Sequence, residues 1–220
     1  MSSRYPVPAH RHRVEQEVRR SRFIATLDRA ATADEAHAVV RAVSAELPDA
    51  THHCWAFVAG PPGSTLAIGM SDAGEPHGTA GRPMLTALLH GGVGDVVAVV
   101  TRYYGGTKLG TGGLARAYGG AVQEALASLP LAEKVTYAHA TLAADYAAVS
   151  ALQQLFAAHE VEVLADAYAA DVRWRLRLPV ERVDAFRAAV LDVTRGRSVV
   201  QLSDEESGSQ ARTGGTPNPA

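Results

Sequence analysis

The sequence encodes an α+β protein of 220 residues organised as two successive units. Three features carry this reading. Short apolar runs of strand length, such as residues 96–101, alternate with stretches whose apolar positions recur every three or four residues. Clusters of Gly and Pro, above all Gly60-Pro61-Pro62-Gly63, punctuate them as turns. From residue 138 the order becomes strand, helix, strand, strand, helix, strand, which is the ferredoxin-like βαββαβ pattern.

Residues 1–12 are polar and proline-bearing and read as a flexible N-terminal arm. Residues 14–18 and 22–27 follow as strands. A helix then opens at Thr32, where Thr32 and Glu35 form a T-x-x-E capping box, and Ala36, Val39, Val40, Val43 and Leu47 give its apolar face. Pro48-Asp49 ends it. Residues 51–59 and 65–70 are two strands joined by the Gly-Pro-Pro-Gly turn, which predicts a hairpin. Pro83 suits the first turn of a short helix carrying Met84, Leu85, Leu88 and Leu89, and Gly91-Gly92 suits its end. The apolar run 96–101 is a buried strand, and from Leu114 the positions Tyr118, Ala121, Val122, Ala125 and Leu129 make an amphipathic helix closed by Pro130.

Residues 131–136 are polar and read as a hinge, which separates a first domain, 13–134, from a second, 135–203. In the second, strands at 138–144, 160–166, 170–178 and 197–202 enclose helices at 145–158 and 180–194. The helices carry Tyr146, Val149, Leu152 and Phe156 in one case and Val183, Phe186, Val190 and Val193 in the other, so both cover the same sheet face. In the strand 170–178, Val172, Trp174, Leu176 and Leu178 alternate with Asp171, Arg173, Arg175 and Arg177, which sets an arginine row on the uncovered face. Residues 204–220 read as a disordered tail.

At 47% hydrophobic residues the chain is able to bury roughly 70% of its unfolded surface. The formal charge of -2 gives no whole-protein attraction for nucleic acid, so any such role rests on local patches. The first 29 residues hold seven arginines against Glu15, Glu17 and Asp28, whereas the end holds Asp204, Glu205 and Glu206 against Arg212. Both ends read as solvated arms. Cys54 is the one cysteine, which excludes an intramolecular disulfide and any multi-cysteine metal site. Residues 1–14 contain no apolar core of a signal peptide, and no apolar run approaches the ~20 residues that span a bilayer. A cytoplasmic protein without membrane contact is expected.

The densest chemistry lies between Ser71 and Tyr118. Gly105, Gly106, Gly110, Gly112 and Gly113 interrupt a strand-to-helix passage in which Thr101, Arg102, Tyr103, Lys108 and Arg116 also stand. Amides at a helix start and cationic side chains there are the physical means of holding phosphate or carboxylate. The order is not that of a Walker A loop, because Lys108 precedes Gly110 instead of following the last glycine. Tyr103 and Tyr104 between the cations also fit an RNA surface built on stacking and phosphate contacts. The alternative for the glycines is close strand–helix packing. Asp72 and Glu75 flank Gly74 in an acidic turn, read either as an Asx-type turn or as an acid–base pair, with no metal expected. Strand alternation sends His52 and Cys54 to one side and His53, Trp55 and Phe57 to the other, which argues against a shared metal or catalytic centre and leaves Cys54 as a buried thiol.

The segments VVTRYYGGTKLGTGGLARAY at 99–118, SDAGEPHGTAGRPML at 71–85 and HHCWAF at 52–57 resemble the YigZ/IMPACT family of small translation-associated proteins, over residues 20–202. The resemblance implies a ribosomal-S5-domain-2-like N-terminal domain followed by a ferredoxin-like domain similar to the C-terminal domain of a translocation factor. It also implies a role beside translation. Eukaryotic members bind a partner protein that controls a translation-initiation kinase, through an extra N-terminal domain that this chain lacks, so kinase control is not expected. The family motif carries a second acid where this chain has Ala73.

These readings converge on a non-catalytic cytoplasmic accessory factor of translation, without cofactor, binding RNA, the ribosome or a translation-associated protein. Its surface is the glycine-rich loop, with Arg173, Arg175 and Arg177 as a secondary basic face. The rival is an enzyme or small-ligand domain with an anion pocket between SDAGEP and GGTKLGTGG, Glu75 or Asp72 as base and Lys108 or Arg102 as anion clamp. A protein-only adaptor is the third reading.

Overall fold

Residues Val96 to Val100 offer water no polar face, so a strand made of them needs cover on both sides. In the computed structural model, which describes residues 3–203 and 209–212, this run lies at the centre of the first sheet. That sheet has the order β2-β3-β6-β4-β5, with β2 at His12–Val18, β3 at Ser21–Arg29, β4 at His52–Ala59, β5 at Ala67–Ser71 and β6 at Val96–Tyr103. All its pairings are antiparallel. Helices α2 (Gly81–His90) and α3 (Thr111–Ala127) cover one face, where Val96, Ala98 and Val100 meet Phe23, Cys54, Met84, Leu88 and Tyr118. Helix α1 (Ala33–Glu46) covers the other, where Val97 and Val99 meet Phe57, Ala36 and Val43. The Thr32 hydroxyl accepts the Glu35 amide as expected, while the Glu35 carboxylate reaches back to the amide of Ala31.

Two compact units divide between Glu133 and Lys134. Two expectations at this level need correction. The N-terminal residues are not an arm: β1 runs over Arg4–Pro8, buries Tyr5 and Val7 against Ala132, and holds the Tyr5 hydroxyl 3.2 Å from Asp95. Nor are residues 131–136 a hinge. They open the long strand β7 (Leu131–Ala144), in which Ala132, Val135 and Tyr137 are buried, Glu133 is exposed and Lys134 is half-buried. Of the tail reading, Ser209–Arg212 form strand β11, and the remainder lies outside the described residues.

The second unit continues with α4 (Val149–Ala158), β8 (Glu162–Tyr168), β9 (Val172–Pro179), α5 (Val183–Val193) and β10 (Gln201–Ser203). Strand order β10-β7-β9-β8, antiparallel throughout, is that of a ferredoxin-like βαββαβ sheet. Leu152, Phe156, Val183, Phe186 and Val190 pack with Trp174, Leu176 and Leu178 on one face. Tyr146 and Val193, expected in that core, are exposed because each lies at a helix end; the Tyr146 hydroxyl instead donates to the Ala169 carbonyl at 2.9 Å. Arg173 and Arg175 are exposed and Arg177 is half-buried on the opposite face, beside a Trp174 that is only 3% exposed.

This register predicts unequal responses. Trp174→Ala should lower stability by about 3–5 kcal/mol through the cavity it leaves under α4 and α5, whereas Arg175→Ala should change it by no more than about 0.5 kcal/mol. Equal midpoint shifts for the two variants in urea would show that β9 presents its other face.

Candidate functional site

Asp72 and Glu75 share one turn, yet their side chains leave it in different directions. The Asp72 carboxylate accepts the amides of Gly78, Ala80 and Gly81 at 2.7–2.9 Å and so holds the start of α2. Burial pushes this carboxyl up, but the three amides outweigh it and hold it below the usual carboxylate value. Glu75 turns inward instead. Its side chain is 4% exposed and accepts the Arg102 guanidinium at 2.6 Å and the Tyr118 hydroxyl at 2.7 Å on the same oxygen.

Arg102 leaves β6 on the face covered by α3, and its guanidinium reaches the Ser21 hydroxyl at 3.3 Å. That hydroxyl also accepts the Gly105 amide at 3.2 Å. The rings of Phe23 and Tyr104 lie 5.4 Å from the Arg102 guanidinium carbon, and the buried Nε has no hydrogen-bond acceptor among the described residues. Burial, followed by the neighbouring Cys54 and Glu75, raises the Tyr118 phenol well above its ordinary value. Burial likewise pushes the Cys54 thiol up to about 12, and its Sγ donates to the Asp72 carbonyl at 2.9 Å. A thiol held that far from ionisation is a poor nucleophile. His52 stands at the edge of this cluster, with Nε2 3.9 Å from Glu75 and Nδ1 bonded to the Ala73 carbonyl at 2.9 Å.

The expected site residues therefore separate into two sets. Thr101 and Arg102 are buried, and Thr101 bonds the His53 ring at 3.1 Å, so neither is an accessible anion contact. The expected base Glu75 and clamp Arg102 are engaged with each other, so an anion pocket built on that pair between SDAGEP and GGTKLGTGG is not what the structure contains. Tyr103 is occupied as well: its hydroxyl donates to Asp49 at 3.0 Å and its ring lies under Arg22. Tyr104 is the ring that faces solvent, at 47% exposure. Lys108 and Arg116 are exposed.

The glycines also divide. A Cβ on Gly105 would run into the Arg20 carbonyl, so this glycine permits a close backbone approach. Gly106 and Gly110 have φ of +82° and +72° with open space around them, which makes their requirement conformational. Gly112 and Gly113 begin α3, and a Cβ on Gly113 would meet Leu109 at 3.0 Å. Among the described residues, helix α3 starts without a side-chain cap and without an acid in its first turn.

Sequence reasoning missed Arg19, Arg20 and Arg82. Arg19 and Arg20 form the β2–β3 hairpin turn with φ of 48° and 67°, and Arg19, Gln16, Leu109, Gly113 and Arg116 line a cleft of about 310 Å³. Arg116 also lines a groove of about 780 Å³ between α2 and α3, opposite Arg82. The two-residue spacing between strands at 18 and 21 was the available signal for the first pair. On the second unit, Arg173 pairs with Asp171 at 3.2 Å and Arg177 with Glu162 at 2.5 Å, whereas Arg175 has no ion pair among the described residues. Among the described residues no group of three His, Cys, Asp or Glu is arranged to hold a metal, and no helix is long and apolar enough to cross a membrane.

The α+β unit followed by a ferredoxin-like unit places the chain in a class of two-domain proteins that the comparisons with known proteins define. Residues 19–126 match the model of the Impact N-terminal domain, and residues 142–197 match that of a domain of unknown function, DUF1949. The chain is 43% identical to the IMPACT family member YigZ of Escherichia coli over 91% of its length and 98% of that protein's. It is 42% identical to an IMPACT family member of Haemophilus influenzae, over 90% of this chain and 96% of that one. A solved crystal structure of a hypothetical protein, 41% identical, superposes with a TM-score of 0.65 and covers 94% of this chain and all of the other. The chain belongs to the IMPACT family.

Glu75→Ala should destabilise the protein by about 3–5 kcal/mol, because it strands a desolvated guanidinium, and Glu75→Leu combined with Arg102→Leu should recover part of that loss. A double-mutant cycle in urea measures this; additive losses would mean the pair is not coupled. Asp72→Ala should cost about 1–2 kcal/mol at neutral pH. Since the folded Asp72 carboxyl sits below the ordinary value of 3.8, its contribution is complete above that pH and disappears as pH falls below it, so wild type and Asp72→Ala should converge in acid.

Proposed function

We propose that this chain is a non-catalytic accessory factor of translation that holds single-stranded RNA on the first unit, along a band formed by Arg19, Lys108, Arg116 and Arg82. The observation that carries the reading is the position of Arg116, which is a wall of two clefts, with Arg19 on one and Arg82 on the other. Among the described residues none of these four cations has an acidic partner. Four other arginines of the first unit do: Arg22 lies 2.7 Å from Glu15, Arg102 lies 2.6 Å from Glu75, and Arg11 and Arg13 share Glu46, while Arg20, Arg29 and Arg41 have no ion pair among the described residues. Cations left uncompensated on one surface of a protein with a net charge of -2 are the local patch that phosphate binding needs.

Two further features support the same polymer. The uncapped start of α3 offers amides to a phosphate, and the exposed Tyr104 ring offers a stacking face beside the loop. The IMPACT family is associated with regulation of translation, which agrees with an RNA partner and with a cytoplasmic place of work. The buried, mutually satisfied state of Glu75, Arg102 and Tyr118 supports a positioning role for them rather than turnover.

Replacing Arg82, Lys108 and Arg116 with alanine should weaken binding of a mixed-sequence single-stranded RNA. The slope of log affinity against log salt should fall by about 0.7 for each phosphate that the variant no longer neutralises. The melting temperature should stay near that of wild type, since the three side chains are exposed. Titrations at two salt concentrations decide it. Equal affinity for mutant and wild type, or no binding by wild type at low salt, would remove RNA as the partner.

A further inference from the structure

Three of the sheet edges, those formed by β2, β8 and β5, are treated differently. The β2 edge carries Arg11, Arg13, Glu15 and Glu17 as exposed charges, with Glu15 bonded to Arg22 and Arg13 to Glu46. The β8 edge carries Glu162 and Asp166 and is broken by a register shift between Val163 and Ala165. Charges and bulges are the devices that stop strand edges from pairing with other chains. The outer edge of β5 has neither. Its sequence, Ala67-Ile68-Gly69-Met70-Ser71, is uncharged and free of proline, and its register against β4 is unbroken from end to end.

This edge is also apolar on its surface. Ile68 is 38% exposed, Met70 49%, and Leu66, which leads into the strand, 85%. Ile68 and Met70 stand on the face shared with Val58 and Ala56, where α2 reaches only the inner side of the strand: Gly81 backs directly onto Met70 and Ser71. The outer halves of Ile68 and Met70 are left to water. Among the described residues β4 is the sole strand paired with β5.

We propose that β5 is a self-association edge, to which a second copy of this chain adds its own β5 in antiparallel register. The strand carries no charge that would select a charged peptide, and none that would repel its own duplicate. A two-fold axis at Gly69 pairs all five residues, setting Ile68 of each copy across from Met70 of the other and Ala67 across from Ser71. Such a pairing joins two five-stranded sheets into one of ten strands and covers the exposed aliphatic atoms with their like. With one short strand per copy, the association is a weak one, below the standard interface size.

Sedimentation velocity of the full chain should show the weight-average mass rising from monomer towards dimer between concentrations on the order of 10 and 500 µM, the range in which interfaces of this size populate. Ile68→Lys and Met70→Lys should hold the protein at monomer mass with an unchanged circular dichroism spectrum, while Leu164→Lys in the second unit should dimerise as wild type does. Ile68→Cys combined with Met70→Cys should give a disulfide-linked dimer under mild oxidation, since the native Cys54 is buried. A wild type that stays monomeric throughout overturns the proposal. So does dimerisation that survives Ile68→Lys, or a double-cysteine variant that folds and forms no linked dimer.

Discussion

Two charges taken out of water need each other, and in this protein they also need to be in one place. Glu75 and Arg102 are 4% and 6% exposed and 2.6 Å apart, so neither is stable unless the turn that carries Glu75 and the strand end that carries Arg102 meet. Tyr118 adds α3 to the same oxygen, and Ser21 adds the start of β3 through Arg102 and the Gly105 amide. Four segments distant in sequence are thus fixed by one desolvated knot. Its geometric consequence falls on the glycine-rich loop, which is held at Gly105 by Ser21 and at its far end by α3, whose Tyr118 reaches Glu75.

The adjacent acid does a different job with the same chemistry. Asp72 satisfies three amides at the head of α2, and Glu75 neutralises a cation in the core, so the SDAGEP turn positions α2 and α3 together. The groove between those two helices is lined by neither carboxylate. Arg82 and Arg116, on its walls, are released from any internal duty. Arg11, Arg13, Arg22 and Arg102 each have an acid within reach, whereas Arg82 and Arg116 have none among the described residues, and the proposed RNA surface rests on that contrast.

Much of the fold was legible because periodicity reports what a residue faces. The alternation Val172-Arg173-Trp174-Arg175-Leu176 placed β9 correctly, and the opposite phases of Cys54 and Trp55 placed them in separate cores. Polarity alone was a poorer guide. Residues 131–136 looked like a hinge because Glu133 and Lys134 are charged, yet the strand runs through that pair and buries Ala132 before it and Val135 after it. Residues 1–12 looked like an arm because they are mostly polar and carry prolines, and it is the distant Ala132 and Asp95 that let Tyr5 and Val7 pack there as a strand.

The site was less legible, for a reason specific to arginine. Arg102 and Arg116 are the same residue type fourteen positions apart on either side of the same loop, and sequence gives both a positive charge near glycines. What separates them is whether an acid with no water around it stands opposite, and that depends on where Glu75 arrives from twenty-seven residues upstream. The glycines repeat the lesson. Gly105 is required because the Arg20 backbone crosses it, a fact of tertiary structure, whereas Gly106 and Gly110 are required by their own backbone angles and leave open space on their outer side. Of the cations, Lys108 lies between these two glycines in sequence and Arg116 approaches the start of α3, where its guanidinium would stand 3.6 Å from a Cβ on Gly112, so whether bare backbone here serves packing or binding depends on what surrounds it and not on glycine itself.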